Sequence, residues 1–103
     1  MVSKFLEKKV EIEYDEFHKR PSGTLELEYY LLESEEAKVG DQGIEKTYGV
    51  EILKKHNGIL NEMKQFENIF NTREQTRGLV ELLADNTVTP STLPYILDDL
   101  LGI

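Results

Sequence analysis

The sequence contains no cysteine and no tryptophan, and it has few basic residues for its acidic content. Without cysteine the chain has no disulfides, no thiol nucleophile and no cysteine-based zinc or iron–sulfur site, so its stability must come from burial of a core. Its 12 Lys and Arg residues stand against 20 Asp and Glu, a formal net charge of -8 at pH 7. Nucleic-acid binding depends on clustered Lys and Arg that neutralise phosphates, so this balance argues against it.

Long hydrophobic stretches are also missing. The mean hydropathy is -0.45, and no apolar run approaches the ~18 residues that a membrane-spanning helix requires. The N-terminal sequence lacks the apolar stretch of about 7–15 residues found in a secretory signal. We therefore expect a cytoplasmic protein without membrane contact. With 103 residues, the chain is long enough for one hydrophobic core and too short for two, which predicts a single domain over residues 1–103.

The first two-thirds of the sequence alternates apolar and polar residues with the period of two that is typical of strands with one buried face. Between the second and third of these stretches, the chain is polar and acidic and has no apolar period, which predicts a loop. The dipeptide Asn57-Gly58 predicts a tight third turn, because both residues tolerate positive φ. The predicted strands span about 8–17, 25–33, 46–55 and 59–66, and the predicted acidic loop spans 34–45.

The last third of the sequence has helical spacing. Apolar residues recur at i, i+3 and i+4 in two stretches, which predicts helices over about 72–85 and 91–101. Asn71 or Thr72 is expected to cap the first helix, and Gly78 within it indicates close approach of another backbone. The predicted fold class is α+β, an antiparallel β-meander of about four strands followed by a C-terminal helical hairpin packed on one sheet face.

In this fold the two faces of the sheet differ in character. Ten apolar side chains share the face that the helices are expected to cover, and acidic residues dominate the second face. The predicted core residues of the sheet are Val10, Ile12, Tyr14, Leu25, Leu27, Tyr29, Leu31, Tyr48, Val50 and Ile52. Gly49 falls on the second face, where it is expected to leave room for a ring such as that of Tyr30.

Four apolar residues also fall on the second face. They are Phe17, Tyr30, Leu32 and Leu53. Contiguous exposed apolar patches typically mark interaction sites, so these four predict an interface, most simply that of a homodimer or of a complex with an unidentified protein. The alternative is local cover of the patch by the acidic loop or by Phe5 and Leu6 near the N-terminus.

A second candidate surface is basic. In a meander the first and third turns lie at the same end of the sheet, and here they carry six basic or titratable residues. These are His18, Lys19, Arg20, Lys54, Lys55 and His56. Such a cluster predicts binding of a small anion or of an acidic partner, more strongly below about pH 6.5, where histidine becomes charged. The alternative is that these turn charges are simply solvated.

No pattern in the sequence is typical of catalysis or of a metal site. Neither His18 nor His56 has a second ligand at helical spacing, and there is no Gly-x-Ser-x-Gly turn or glycine-rich loop before a helix. Asp98 and Asp99 are adjacent on a predicted helix, so their side chains diverge by about 100° and are poorly placed to share a proton. We expect a non-enzymatic protein with no catalytic residue, metal or cofactor.

Three short motifs point to a family resemblance. They are Tyr29-Tyr30-Leu31-Leu32-Glu33-Ser34, Tyr48-Gly49-Val50-Glu51-Ile52, and Val88-Thr89-Pro90 with Leu93 and Asp98-Asp99 downstream. The sequence resembles a family of small uncharacterised proteins, of about this length, from anaerobic Gram-positive bacteria, classed as a domain of unknown function. The resemblance covers most of the chain from about residue 25. It implies a bacterial cytoplasmic protein without an established activity, so it assigns no functional residues.

The sequence as a whole therefore predicts an interaction protein. We expect a non-enzymatic protein-interaction or regulatory module that self-associates through the second sheet face or through an edge strand. Binding of a small anion or an acidic partner at the basic turns is the alternative. Both hypotheses depend on where the fold places the side chains named above.

Overall fold

The described chain folds into one antiparallel sheet with helices on one of its faces. The computed structural model describes residues 1–14, 23–37 and 43–103. Within these residues the sheet has four strands in the order β1-β2-β3-β4, and two helices follow it, so the predicted α+β meander with a C-terminal helical pair is confirmed. The elements are β1 (Val2–Tyr14), β2 (Gly23–Ala37), β3 (Ile44–His56), β4 (Ile59–Phe70), α1 (Arg73–Asp85) and α2 (Leu93–Leu101).

The strands are longer than the alternation of the sequence predicts. β1 begins at Val2, and the ends of β2 and β3 pair with each other over much of the predicted acidic loop, as far as Ala37 and Ile44. The Nζ atom of Lys46 lies 3.4 Å from the carboxylate of Glu35 and 3.9 Å from that of Glu33, which offsets acidic charge in this ladder. The loop prediction is therefore wrong for residues 34–37 and 44–45, and residues 38–42 lie outside the described chain.

The turn between β3 and β4 follows the sequence prediction. Asn57 has a φ of 50° and Gly58 a φ of 82°, the backbone conformation that a two-residue hairpin requires. The Asn57 side-chain oxygen accepts a hydrogen bond from the Thr24 amide at 2.8 Å, and the Asn57 amide donates to the Thr24 carbonyl at 2.8 Å. These two bonds fix the turn against the start of β2.

β1 contains an extra residue that changes which of its side chains face the helices. Leu6 pairs with Tyr30 and Lys8 pairs with Tyr29, so Glu7 is the unpaired residue of a β-bulge. On the C-terminal side of Glu7 the even-numbered residues face the helices, and on its N-terminal side the odd-numbered residues do. A strict period of two therefore ends at the bulge, which is why the alternation predicted a strand that began only near residue 8.

The core lies between the two helices and the sheet. Tyr29 and Val50 are at its centre, and each large aliphatic side chain buried there contributes about 1.5–3 kcal/mol. The cluster comprises Leu27, Tyr29, Val50, Ile52, Leu79, Val80, Leu83, Ala84, Val88, Leu93 and Leu97, with Val10, Phe66, Ile69, Phe70 and Ile96 packed at its margin. Of the other predicted core residues, Leu31 and Tyr48 are buried, Leu25 is half-buried and Ile12 is exposed, and the Tyr14 side chain lies outside the described part of the chain.

The helix ends follow local capping chemistry. The Thr72 hydroxyl accepts a hydrogen bond from the Gln75 amide at 3.3 Å, which confirms Thr72 as the N-cap of α1. α2 begins at Leu93, two residues later than predicted, with Pro94 in its first turn, and Gly102 ends it in the left-handed conformation with a φ of 72°.

Two glycines behave differently from their sequence predictions. A Cβ atom at Gly78 would meet no atom within 4 Å, so the predicted close backbone approach at this helix position is wrong. The close approach occurs at Gly49 instead, where a Cβ atom would overlap the Phe66 carbonyl oxygen and lie 2.8 Å from the Glu67 Cα. The neighbour that requires a glycine at this position is thus the backbone of β4, and not the Tyr30 ring.

Candidate functional site: the open face of the sheet

The sheet face opposite the helices is covered by no described helix or strand, and we call it the open face. Its residues follow from the register of the four strands. They are Val2, Lys4, Leu6, Lys9, Glu11 and Glu13 on β1, Thr24, Glu26, Glu28, Tyr30, Leu32, Ser34 and Glu36 on β2, Glu45, Thr47, Gly49, Glu51, Leu53 and Lys55 on β3, and Leu60, Met63 and Gln65 on β4. The register thus places Tyr30, Leu32 and Leu53 together on the open face, whereas Phe17 lies outside the described residues.

These three residues differ in how much surface they offer. Leu32 is only 1% exposed, so it has almost nothing to present to a partner. Tyr30 and Leu53 are half-buried. The better exposed apolar side chains of this face lie on the two outer strands, where Leu6, Leu60 and Met63 are each about half exposed. Leu6 was expected only as local cover, and Leu60 and Met63 were not among the predicted interface residues.

Two carboxylates are buried on the open face although no element covers it. Glu28 is 6% exposed and Glu51 is 3% exposed. The Nζ atom of Lys4 lies 2.8 Å from Glu51 Oε1, the Nζ atom of Lys55 lies 3.1 Å from Glu28 Oε2, and the Tyr30 hydroxyl donates to Glu28 Oε1 at 2.8 Å. The long side chains of neighbouring strands therefore lie across the sheet and both cover and pair its two acidic groups.

This network fixes the protonation of its members. Burial alone would raise the pKa of Glu28, but the hydrogen bonds from Tyr30 and Lys55, with the positive charges of Lys55 and Lys9, outweigh it and lower that pKa below 4.5. Burial, the bond to Glu28 and the negative charges of Glu28 and Glu51 raise the pKa of Tyr30 to about 12. At neutral pH Glu28 is thus ionised and Tyr30 remains a hydrogen-bond donor.

The two buried carboxylates of the open face are held by ion pairs and a hydrogen bond. Glu28 and Glu51 each have a matched donor, and the Lys4 Nζ atom also lies 4.4 Å from the centre of the Tyr30 ring. Among the residues that the structure describes, no group of three or more His, Asp or Glu side chains is arranged to hold a metal ion. Nor does any helix in the described ranges have the length and apolar character needed to cross a membrane.

Only three members of the predicted basic cluster lie within the described residues, so the cluster as a whole stays a prediction. Lys54 and Lys55 point to opposite faces of β3, and each has an acidic neighbour, since Lys54 lies 3.7 Å from Glu62 and Lys55 lies 3.1 Å from Glu28. His56 is exposed at the end of β3. The other three residues, His18, Lys19 and Arg20, lie outside the described residues.

A second surface feature, which the sequence analysis missed, is a groove between the C-terminal end of α1 and helix α2. Its volume is about 570 Å³. The lining residues are Leu82, Leu83, Asn86, Thr87, Val88, Thr89, Thr92, Ile96, Asp99 and Leu100. The apolar repeat of α2 runs from Leu93 to Leu100, but only its first part is buried, and Leu100 stays about half exposed. The sequence signal for this groove was the apolar repeat of α2, which extends beyond the residues that the fold buries.

Comparison with known proteins identifies the family of the chain. No curated protein and no solved structure matches the chain. A model for a family of unknown function, DUF6514, matches residues 8–102, a range that contains the second half of β1 and every later element. This agrees with the resemblance to an uncharacterised family that the sequence motifs indicated. The chain therefore belongs to the family of unknown function DUF6514.

Proposed function

We propose that this protein is a non-enzymatic protein-interaction module that self-associates by stacking the open faces of two copies. The observation that carries this proposal is the position of Leu6, Leu60 and Met63, which are about half exposed on a sheet face that no described element covers. They flank the half-buried Tyr30 and Leu53. Burial of such side chains against a second sheet provides the driving force for association.

The charge pattern at the centre of the open face is compatible with a second copy as the occupant. The chain carries -8 overall, so most of its surface repels another copy. On the open face, however, Lys4, Lys9 and Lys55 lie beside glutamates, at distances of 2.8–3.7 Å. The centres of two open faces can therefore approach each other without bringing unpaired buried carboxylates together, and the lysine heads at one face can also contact glutamates of the other.

The size of the face is also adequate. Four strands at a spacing of ~4.8 Å give a width of about 19 Å, and strands of 13 residues rising ~3.3 Å per residue give a length of about 43 Å. The resulting area, of the order of 800 Å², equals what each partner contributes to an interface of standard size. A dimer formed in this way needs no further element.

Sedimentation equilibrium tests the proposal. We expect the mass to rise with concentration from 11.9 kDa towards twice that value. The double variant Leu6→Glu, Met63→Glu should remain at the monomer mass, because it buries two charges in the interface. Ile44→Glu is the matched control, since Ile44 is exposed but its register position belongs to the other face.

Circular dichroism on all three proteins establishes that they are folded. A monomer mass for the unmodified chain up to millimolar concentration would overturn the proposal. So would a dimer that survives in Leu6→Glu, Met63→Glu but dissociates in Ile44→Glu. The experiment therefore separates self-association from its assignment to the open face.

A further inference from the structure

The groove between α1 and α2 is apolar at its floor and acidic at its rim. The apolar side chains of Leu82, Ile96 and Leu100 line the groove. Three of its polar side chains are already engaged within the chain, since the Asn86 amide donates to the Leu82 carbonyl at 2.8 Å and the Thr92 hydroxyl contacts that of Thr89 at 3.0 Å. A ligand that enters the groove therefore meets mainly apolar surface.

The charge around this groove is negative and unbalanced. Asp99 lines it, and Asp85 directly precedes the lining residue Asn86. From Gly78 to Ile103 the sequence contains no Lys or Arg, whereas Glu81 and Asp98 add to the negative charge. Among the described residues, none of these four carboxylates has an ion-pair partner, in contrast to the paired glutamates of the open face.

We infer that this groove binds a short amphipathic segment of another protein, with apolar residues on one side and Lys or Arg on the other. Its apolar side chains would enter the groove at Leu82 and Leu100, and its cations would pair with Asp85 and Asp99. This is the helix-in-groove mode of recognition, in which side chains at i, i+3 and i+4 supply the anchors. A volume of about 570 Å³ falls within the range of ordinary binding pockets.

Charge complementarity favours this occupant over the others. A second copy of the chain carries -8, so its net charge would meet repulsion at the rim. A neutral apolar molecule would contact the apolar surface of the groove but would form no ion pair with its carboxylates. A basic segment uses both the apolar floor and the acidic rim.

Titration with a synthetic peptide tests the inference on the full-length chain. The probe is a peptide of about 15 residues, long enough to form a helix, with leucine at helical spacing on one side and lysine on the other. We expect it to bind, and we expect two controls to fail. One is a scrambled peptide of the same composition, and the other has glutamate in place of each lysine.

Variants of the protein locate the site. The double variant Asp85→Lys, Asp99→Lys should weaken binding of the Leu/Lys peptide about ten-fold. Glu67→Lys, which makes the same charge change at an exposed position on β4, should leave binding within about two-fold. In NMR spectra the peptide should shift the amide signals of Leu82, Val88 and Leu100, while those of β1 remain in place.

Three results would overturn the inference. They are no binding of the Leu/Lys peptide, equal binding of the scrambled peptide, and equal losses in the Asp85→Lys, Asp99→Lys and Glu67→Lys proteins. The groove and the open face lie on opposite sides of the sheet. Failure here is therefore distinguishable from failure of self-association, which is read from the mass alone.

Discussion

The hydroxyl of Tyr29 donates a hydrogen bond to the backbone carbonyl oxygen of Val88 over a distance of 2.9 Å, and both groups are buried. Tyr29 lies at the centre of β2, and Val88 lies in the connection between α1 and α2. The bond therefore ties the middle of the sheet to the connection that sets the position of α2. It also satisfies a carbonyl that would otherwise be buried without a partner.

We predict that Tyr29→Phe lowers the free energy of unfolding by about 1–3 kcal/mol, because the variant keeps the ring but leaves the Val88 carbonyl unpaired. Urea denaturation of the variant and the unmodified protein measures this. Tyr95→Phe removes a hydroxyl from an exposed ring on α2 and should change stability by less than about 0.5 kcal/mol. Equal effects of the two substitutions would contradict the prediction.

We also predict a loss of stability in alkali. Burial raises the pKa of Tyr29 to about 12, and the pKa of Tyr30 is raised to about 12 as well, from an ordinary value of 10.0. The folded chain thus holds these two protons more tightly than the unfolded chain does. The stabilisation they provide is complete below pH 10 and is lost as the pH rises towards 12.

Urea denaturation at a series of pH values checks the alkaline prediction. Tyr29→Phe, Tyr30→Phe should show a smaller fall in the free energy of unfolding between neutral and alkaline pH than the unmodified protein. Tyr95→Phe serves as the control and should keep the full fall. An identical pH profile for the double variant and the unmodified protein would show that these tyrosines do not cause it.

The buried carboxylate of Glu28 predicts an effect of opposite sign in acid. Its pKa is lowered from 4.5, so the folded chain releases this proton more readily than the unfolded chain. Its stabilising contribution is present above pH 4.5 and is lost as the pH falls through the lower folded pKa. Glu28→Gln should be less stable than the unmodified protein at pH 7, and the difference should shrink in acid.

Thermal unfolding from pH 7 to pH 3 measures this difference. The matched control is Glu67→Gln, an exposed position on β4, for which we expect little change at any pH. A difference between Glu28→Gln and the unmodified protein that stays constant over the whole range would mean that ionisation of Glu28 is not its origin.

Two glycine substitutions should have opposite effects. Gly49→Ala places a Cβ atom against the Phe66 carbonyl and the Glu67 Cα, so β4 must move, and we expect a loss of about 3 kcal/mol or more. Gly78→Ala adds a methyl group to an exposed helix position with no atom within 4 Å, and we expect a gain of about 0.5–1 kcal/mol. Urea denaturation of both variants checks the signs, and a stabilised Gly49→Ala would contradict the register described for β4.

The elements that the sequence predicted well are those whose signals are local. Alternation over Leu25 to Leu31, positive φ at Asn57-Gly58 and the Thr72 cap depend on neighbouring residues alone. The N-terminal half of β1 was missed because its signal is not local, since the bulge at Glu7 reverses the alternation and can be recognised only from the pairing with β2. The predictions for Gly78 and Gly49 were wrong for the same reason, because the backbone that approaches a glycine belongs to a segment distant in the sequence.

The candidate site was predictable in its position but not in its composition. The segment from Tyr29 to Leu32 is apolar on both faces of β2, which indicated that Tyr30 and Leu32 lie on the second face. The buried pairs Lys4 with Glu51 and Lys55 with Glu28 join residues that lie 47 and 27 positions apart in the sequence. Their partners could be identified only once the register of three strands was known.

The irregular pairing of the two outer strands has a consequence for how copies of this protein can assemble. β1 carries an extra residue at Glu7, and β4 carries extra residues at Asn61 and between Phe66 and Phe70. These interruptions distort the hydrogen-bonding edges of both outer strands, which disfavours growth of a continuous fibre by strand addition. The proposed stacking of two open faces has two-fold symmetry, so it would end at two copies.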